Sequence, residues 1–219
     1  MTLLVVSPDF ASHYGPLDVI ARAAGLSGRR VVIATGAGLR PIVEAGGFEW
    51  RHLQLGADSN AGIAARGPAI ERFLAATRDG PAATIRRQAL DREHDLLWNP
   101  EQVATELADL CRELDTADGL DVLVDHVSFG STLAMYATGR SFLSLVPGHP
   151  SQLPVAEELY GIPATWPSRL DPGRVEVAQL ATLAARVTEA FTMRWNAALA
   201  TIAPHRDPVD DAFRVHGRR

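Results

Sequence analysis

The chain has 219 residues, 47% of them apolar, with 21 arginines, no lysine, 26 acidic residues and a formal net charge of −5. That length supports one large domain or two small ones without a disulfide staple, and the acidic balance offers no broad basic surface to nucleic acid or anionic lipid. The single cysteine, Cys111, excludes an internal disulfide or a cysteine metal cluster. The absence of a basic leader and of any 18-residue apolar run predicts a soluble cytoplasmic protein without a membrane partner.

The chain opens on an apolar run, Leu3 to Val6, that breaks at Ser7-Pro8 and leads into a polar loop presenting His13. Leu17, Ile20, Ala21 and Ala24 follow at helical spacing, with Gly25 and Gly28 to end the helix, and Val31 to Thr35 reads as a second buried strand. Strand, helix and strand in about 35 residues make a βαβ unit with a right-handed crossover. Gly36-Ala37-Gly38 reads as a tight turn into a short helix, Leu39 to Ala45, followed by a third strand from Phe48 to Leu53. A long glycine-containing loop, Gly56 to Gly67, precedes two helical segments split near Asp79-Gly80-Pro81.

Asn99-Pro100-Glu101-Gln102 predicts a helix start, with Asn99 as cap, Pro100 in the first turn and Gln102 completing a capping-box-like pattern. Val103, Leu107, Leu110 and Leu114 form that helix's buried stripe. Asp121 to Asp125 is the next strand, Ser128 to Thr138 a helix stopped by Gly139, and Phe142 to Val146 a further strand. Six prolines between Pro147 and Pro172 mark an irregular segment, and a long helix runs from about Arg174 to Leu199. The alternation predicts a doubly wound, mainly parallel α/β domain over residues 1–202 with helices on both faces. Residues 203–219 read as a linker-like tail.

In open parallel sheets ligands bind beyond the carboxyl ends of the strands, near the point where strand order reverses. His13 follows the first strand and Asp125 ends the fourth; in the common strand order these are neighbours. A histidine paired with a carboxylate is a general base, its tautomer fixed through one ring nitrogen while the other takes a proton. The alternative is a loop histidine and a helix-capping carboxylate. His149, between Gly148 and Pro150, is a second candidate base or contact, and Phe10, Tyr14, Trp98, Phe129 and Trp166 could wall an apolar pocket.

Other motifs are lacking. No G-x-G-x-x-G follows the first strand, no lysine exists for a phosphate-binding loop, and no G-x-S-x-G nucleophile elbow occurs. Asp125, His126 and His149 lack metal-ligand spacing, so no metal and no cofactor is expected.

Three stretches resemble a known family: His13-Tyr14-Gly15-Pro16 after the first strand, Ala34 to Phe48 across the second strand and its helix, and Asp121 to Asp125 before a helix of small residues. Together they are similar to the amino-terminal domain of GT-B fold glycosyltransferases of the UDP-glycosyltransferase superfamily, the macrolide and natural-product enzymes above all. Arg194-Trp195-Asn196 and Asp210 to Arg214 resemble the segment before that family's second domain. The resemblance implies a Rossmann-like acceptor-binding domain in which His13 deprotonates an acceptor hydroxyl and Asp125 is its partner. The sugar would come, with inversion and without a catalytic metal, from a nucleotide-diphosphate donor. That donor would bind a carboxy-terminal domain or partner subunit, whose glycine-rich motif this chain lacks. Ser12 stands where the family usually has glycine. A non-catalytic partner protein that keeps the fold, and a stand-alone hydrolase or proton-transfer enzyme, are the other functions the residues allow.

Overall fold

The structure is a computed structural model that describes residues 1–56, 97–147, 153–162, 165–166 and 172–215. His149, the two helical segments around Asp79-Gly80-Pro81 and most of the Gly56 to Gly67 loop lie outside the described residues.

Five strands form one all-parallel sheet in the order β3-β2-β1-β4-β5: β1 (Thr2–Val6), β2 (Arg30–Thr35), β3 (Glu49–His52), β4 (Leu120–Asp125) and β5 (Leu143–Leu145). The apolar runs of β1, β2 and β4 are near-continuous because both faces of the sheet are covered. Leu3, Val5, Val31, Ile33 and Leu123 face one way, packing with Tyr14, Leu17 and Ala21 of helix α1 (Ala11–Leu26) and Val43 of helix α2 (Arg40–Ala45). Leu4, Val6, Val32, Ala34, Val122 and Val124 face the other way. There they meet Val103, Leu107, Cys111 and Leu114 of helix α3 (Pro100–Leu114) and Ala134 and Met135 of helix α4 (Phe129–Thr138). Each such buried Leu or Val stabilises the fold by about 1.5–3 kcal/mol relative to exposure.

The last helix, α5 (Arg174–Ile202), adds a separate aromatic cluster. Phe191 and Trp195 pack there with Phe129 of α4 and with Phe213 from the tail. Residues 203–215 fold back onto α4 and α5. The Asn196 amide donates to the Val209 carbonyl while its Oδ1 accepts the Val209 N–H, both at 2.9 Å. Phe213 stacks on Phe191 with ring centroids 4.3 Å apart. The acidic, proline-containing stretch before Phe213 is held further by the Tyr136 hydroxyl, which donates to the Asp207 carbonyl at 3.2 Å, and by the Thr192 hydroxyl, which accepts the Ala212 N–H at 3.0 Å.

Two local expectations differ from what is observed. His13 does not sit in a loop: α1 begins at Ala11 and continues through Pro16. Proline at that position removes the bond that the Ser12 carbonyl would accept. Ser12 is exposed, so water can replace the bond, and the buried face of Tyr14, Leu17 and Ala21 holds the turn in place. Asn99 occupies the cap position of α3 but has a left-handed backbone, φ 34°, and its side chain makes no cap bond. Gln102 reaches forward to Glu106 rather than back to Asn99. Helix α1 closes in a Schellman turn, with Gly28 N–H donating to the Gly25 carbonyl, Arg29 N–H to that of Ala24, and φ 80° at Gly28.

Among the described residues no helix is long and apolar enough to cross a membrane.

Candidate active site

Strand order reverses between β1 and β4: from β1 the chain moves to β2 and β3 on one side, and it returns to β4 and β5 on the other. Val6 pairs with Val124, so the residues leaving β1 emerge beside Asp125, the last residue of β4. This is the crevice where open parallel sheets bind ligands.

After Val6 the backbone continues the ladder once, Ser7 N–H donating to the Ala34 carbonyl at 3.1 Å, and then turns through Pro8, Asp9 and Phe10. The Phe10 carbonyl accepts from the N–H groups of His13 and Tyr14, starting α1 and placing His13 third in the helix. His13 Nδ1 lies 2.9 Å from Asp125 Oδ2. The carboxylate is fully buried and the imidazole is 22% exposed. Asp125 Oδ1 accepts the Val127 N–H at 3.0 Å, so both carboxylate oxygens are engaged. With Nδ1 turned to the carboxylate, Nε2 is the nitrogen left to exchange a proton with a bound molecule. The first turn of a helix disfavours positive charge by about 0.3–1 kcal/mol, and Asp125 supplies the opposite charge beside it.

Three further residues shape this end of the sheet. Asp9 is 5% exposed, and its Oδ2 accepts the Gly38 N–H at 3.1 Å. Gly36 lies so close that a Cβ there would stand 2.6 Å from Asp9 Oδ2, which is why no larger residue fits. His126 is fully buried, its ring 6.2 Å from that of His13 and inclined by 27°. In the sequence the sign of Asp9 is an acidic residue directly after the Ser-Pro break, and that of His126 an imidazole directly after Asp125; no motif ties either to His13.

The aromatic candidates separate. The Phe10 ring is half-buried, 5.9 Å from the His13 ring. Trp98 and Trp166 are half-buried. Tyr14 is 3% exposed within the core and donates its hydroxyl to Asp18 at 3.1 Å. Burial, reinforced by the Asp18 carboxylate, holds that hydroxyl well above the usual tyrosine range. Phe129 is 1% exposed, in T-shaped contact with Phe191 and Phe213. Cys111 lies in the core under α3, where burial pushes its thiol up to about 11, so it is no nucleophile for this site. Among the described residues no group of three or more His, Cys, Asp or Glu side chains is placed to hold a metal.

No protein family and no curated protein matches this sequence. Solved structures do. The glycosyltransferase VinC in complex with dTDP matches at 13% identity and a TM-score of 0.54, over 98% of this chain and 47% of that one. The glycotransferase of kitacinnamycin matches at 15% and 0.51, over 96% and 43%. The spinosyn rhamnosyltransferase SpnG with spinosyn aglycone overlays more loosely, at 18% and 0.42, over 66% and 34%. The chain thus spans from about a third to about a half of the length of these proteins. At such identities the likeness is one of fold, and that fold fits an amino-terminal GT-B domain.

Proposed function

We propose that this chain is the acceptor-binding half of an inverting glycosyltransferase, with His13 as the base and Asp125 as its partner. One observation carries the reading: a histidine and a buried carboxylate, 2.9 Å apart, stand at the strand-order reversal of a sheet with the glycosyltransferase fold.

In this reading the acceptor is a small, hydroxylated and largely apolar natural product. His13 Nε2 takes the proton of its hydroxyl as the oxygen attacks the anomeric carbon of a nucleotide-diphosphate sugar. The new C–O bond forms opposite the bond that breaks, and the nucleoside diphosphate leaves with the electron pair, so the configuration inverts. Asp125 holds the proton-bearing Nδ1 toward itself and balances the imidazolium that forms; the proton transfer by the base itself contributes about 10²–10⁴ in rate. Phe10, Trp98, Trp166 and His149 are our candidates for the acceptor wall, with Tyr14 and Phe129 supporting it from the core. VinC holds dTDP in its crystal and is about twice as long as the part matched here. We accordingly assign the donor to a second domain or subunit outside this chain.

The test joins this chain to the donor-binding half of a solved enzyme such as VinC and offers hydroxylated aglycones with a dTDP-sugar. Transfer is expected, with His13→Ala lowering kcat by about 10²–10⁴ while acceptor affinity, measured by calorimetry, changes less than threefold. An unimpaired His13→Ala enzyme would overturn the assignment of the base.

A further inference from the structure

We propose that His126 is a positioning residue for the His13–Asp125 pair, clamping the Asp125 carboxylate from its far oxygen and fixing the plane of the His13 ring. The inference rests on the reading of His13 as the base, but it is tested separately.

Asp125 stands between two imidazoles. Its Oδ2 meets His13 Nδ1 at 2.9 Å, and its Oδ1 faces His126 Nδ1 at 3.6 Å. The second distance is longer than a hydrogen bond. Within a site where both side chains are fully buried, it still lets an N–H dipole attract the carboxylate charge. His126 is itself held: its backbone N–H donates to the Leu145 carbonyl at 2.9 Å, tying the residue to β5. A carboxylate bonded to the Val127 N–H through Oδ1 alone can still swing its other oxygen. A second dipole at Oδ1 opposes that swing and keeps Oδ2 aimed at His13.

The same arrangement selects tautomers. A proton on His126 Nδ1 attracts Oδ1, whereas a lone pair there would repel it. With Oδ2 held in place, His13 keeps its proton on Nδ1 and turns the Nε2 lone pair outward. The two rings lie side by side, their centroids 6.2 Å apart and their planes inclined by 27°. His126 touches no reacting atom; it acts through Asp125 and the His13 ring.

Ring-nitrogen NMR of the 15N-labelled 219-residue chain, at one fixed pH, reads both tautomers without any transfer assay. In the wild type, His126 is expected to carry its proton on Nδ1; a proton on Nε2 instead overturns the proposal with no variant needed. His126→Leu is expected to lower the Nδ1–H to Nε2–H ratio of His13 at least threefold. His126→Asn, whose amide N–H reaches the place of Nδ1–H, should restore the ratio to within twofold of wild type. His126→Gln, whose amide sits farther out, should behave like the leucine variant. If His126→Leu does not fold, the Asn and Gln pair decides. A ratio unmoved in Leu and Gln, or an Asn variant no better than Gln, overturns the proposal. Failure of sugar transfer in the joined enzyme would break the glycosyltransferase reading while leaving this tautomer result standing.

Discussion

The two ends of the same five strands are built to different rules. At the amino end, polar groups pair in or near solvent: Arg29 with Asp121 at 2.7 Å, and Arg30 with Glu49 at 2.6 Å. At the carboxyl end they are buried. Ser7, Asp9, Thr35, Asp125, His126, Ser128 and Ser131 are all 5% exposed or less. Asp9 Oδ1, Thr35 Oγ1, Ser128 Oγ and Ser131 Oγ have no hydrogen-bond partner among the described residues. A buried polar group left unpaired costs about 1–3 kcal/mol. Arg29 Nε and Trp50 Nε1 are likewise buried without a hydrogen-bond partner among the described residues near the amino end, but the carboxyl end holds more such atoms, gathered where β1 and β4 diverge.

Substitutions can break or sharpen that contrast. The largest effect on stability is expected at Gly36→Ala, whose new Cβ would stand 2.6 Å from Asp9 Oδ2 and 2.7 Å from its Cγ. Denaturant unfolding should show a loss of about 1–3 kcal/mol, the usual cost of overpacking. Asp9→Ala in the same chain should return most of it; strict additivity of the two changes would refute the clash. Next comes Ser131→Ala, which removes a fully buried hydroxyl without a partner among the described residues and should raise stability by about 1 kcal/mol. No gain in the unfolding midpoint would show that this hydroxyl is satisfied in solution.

The smallest effect is expected at the amino end. Burial works to raise the Glu49 carboxyl, but the Arg30 and Arg51 guanidiniums prevail and hold it below the usual range. A carboxyl lowered in the folded state contributes stability that is present above its unfolded value and lost as pH falls through the folded one. Glu49→Gln should lower Tm slightly at neutral pH and leave the acid end, where Glu49 is already protonated, nearly unchanged, so that the acid limb of a Tm against pH curve flattens slightly. A larger change at neutral pH would mean that this rim carries more of the fold than its exposure implies.

What could be read in the sequence followed from burial on two sides. The strand runs Leu3 to Val6, Val31 to Thr35 and Asp121 to Asp125 declare themselves because a parallel sheet covered by helices leaves them no polar face. The topology rule for such sheets then brings Asp125 beside whatever follows β1. Less legible was whatever tertiary packing decides. Gly15 and Pro16 read as loop chemistry, yet the buried side of α1 carries the helix through them. Asn99 has the right side chain for a cap and the wrong backbone to use it. The tail's composition is that of a linker, but Phe213 finds a place among Phe191 and Phe129 that no local pattern announces.

The His13–Asp125 contact joins positions 112 residues apart. During synthesis β1, β2 and β3 can pair as soon as they are made, since they are sequential neighbours on one flank. The histidine gains its carboxylate only when β4 has been translated and has docked along the opposite edge of β1. Contacts so distant in sequence form late, after the chain has paid the entropy of closing a long loop. The His13–Asp125 pair is thus assembled only when both flanks of the sheet are present.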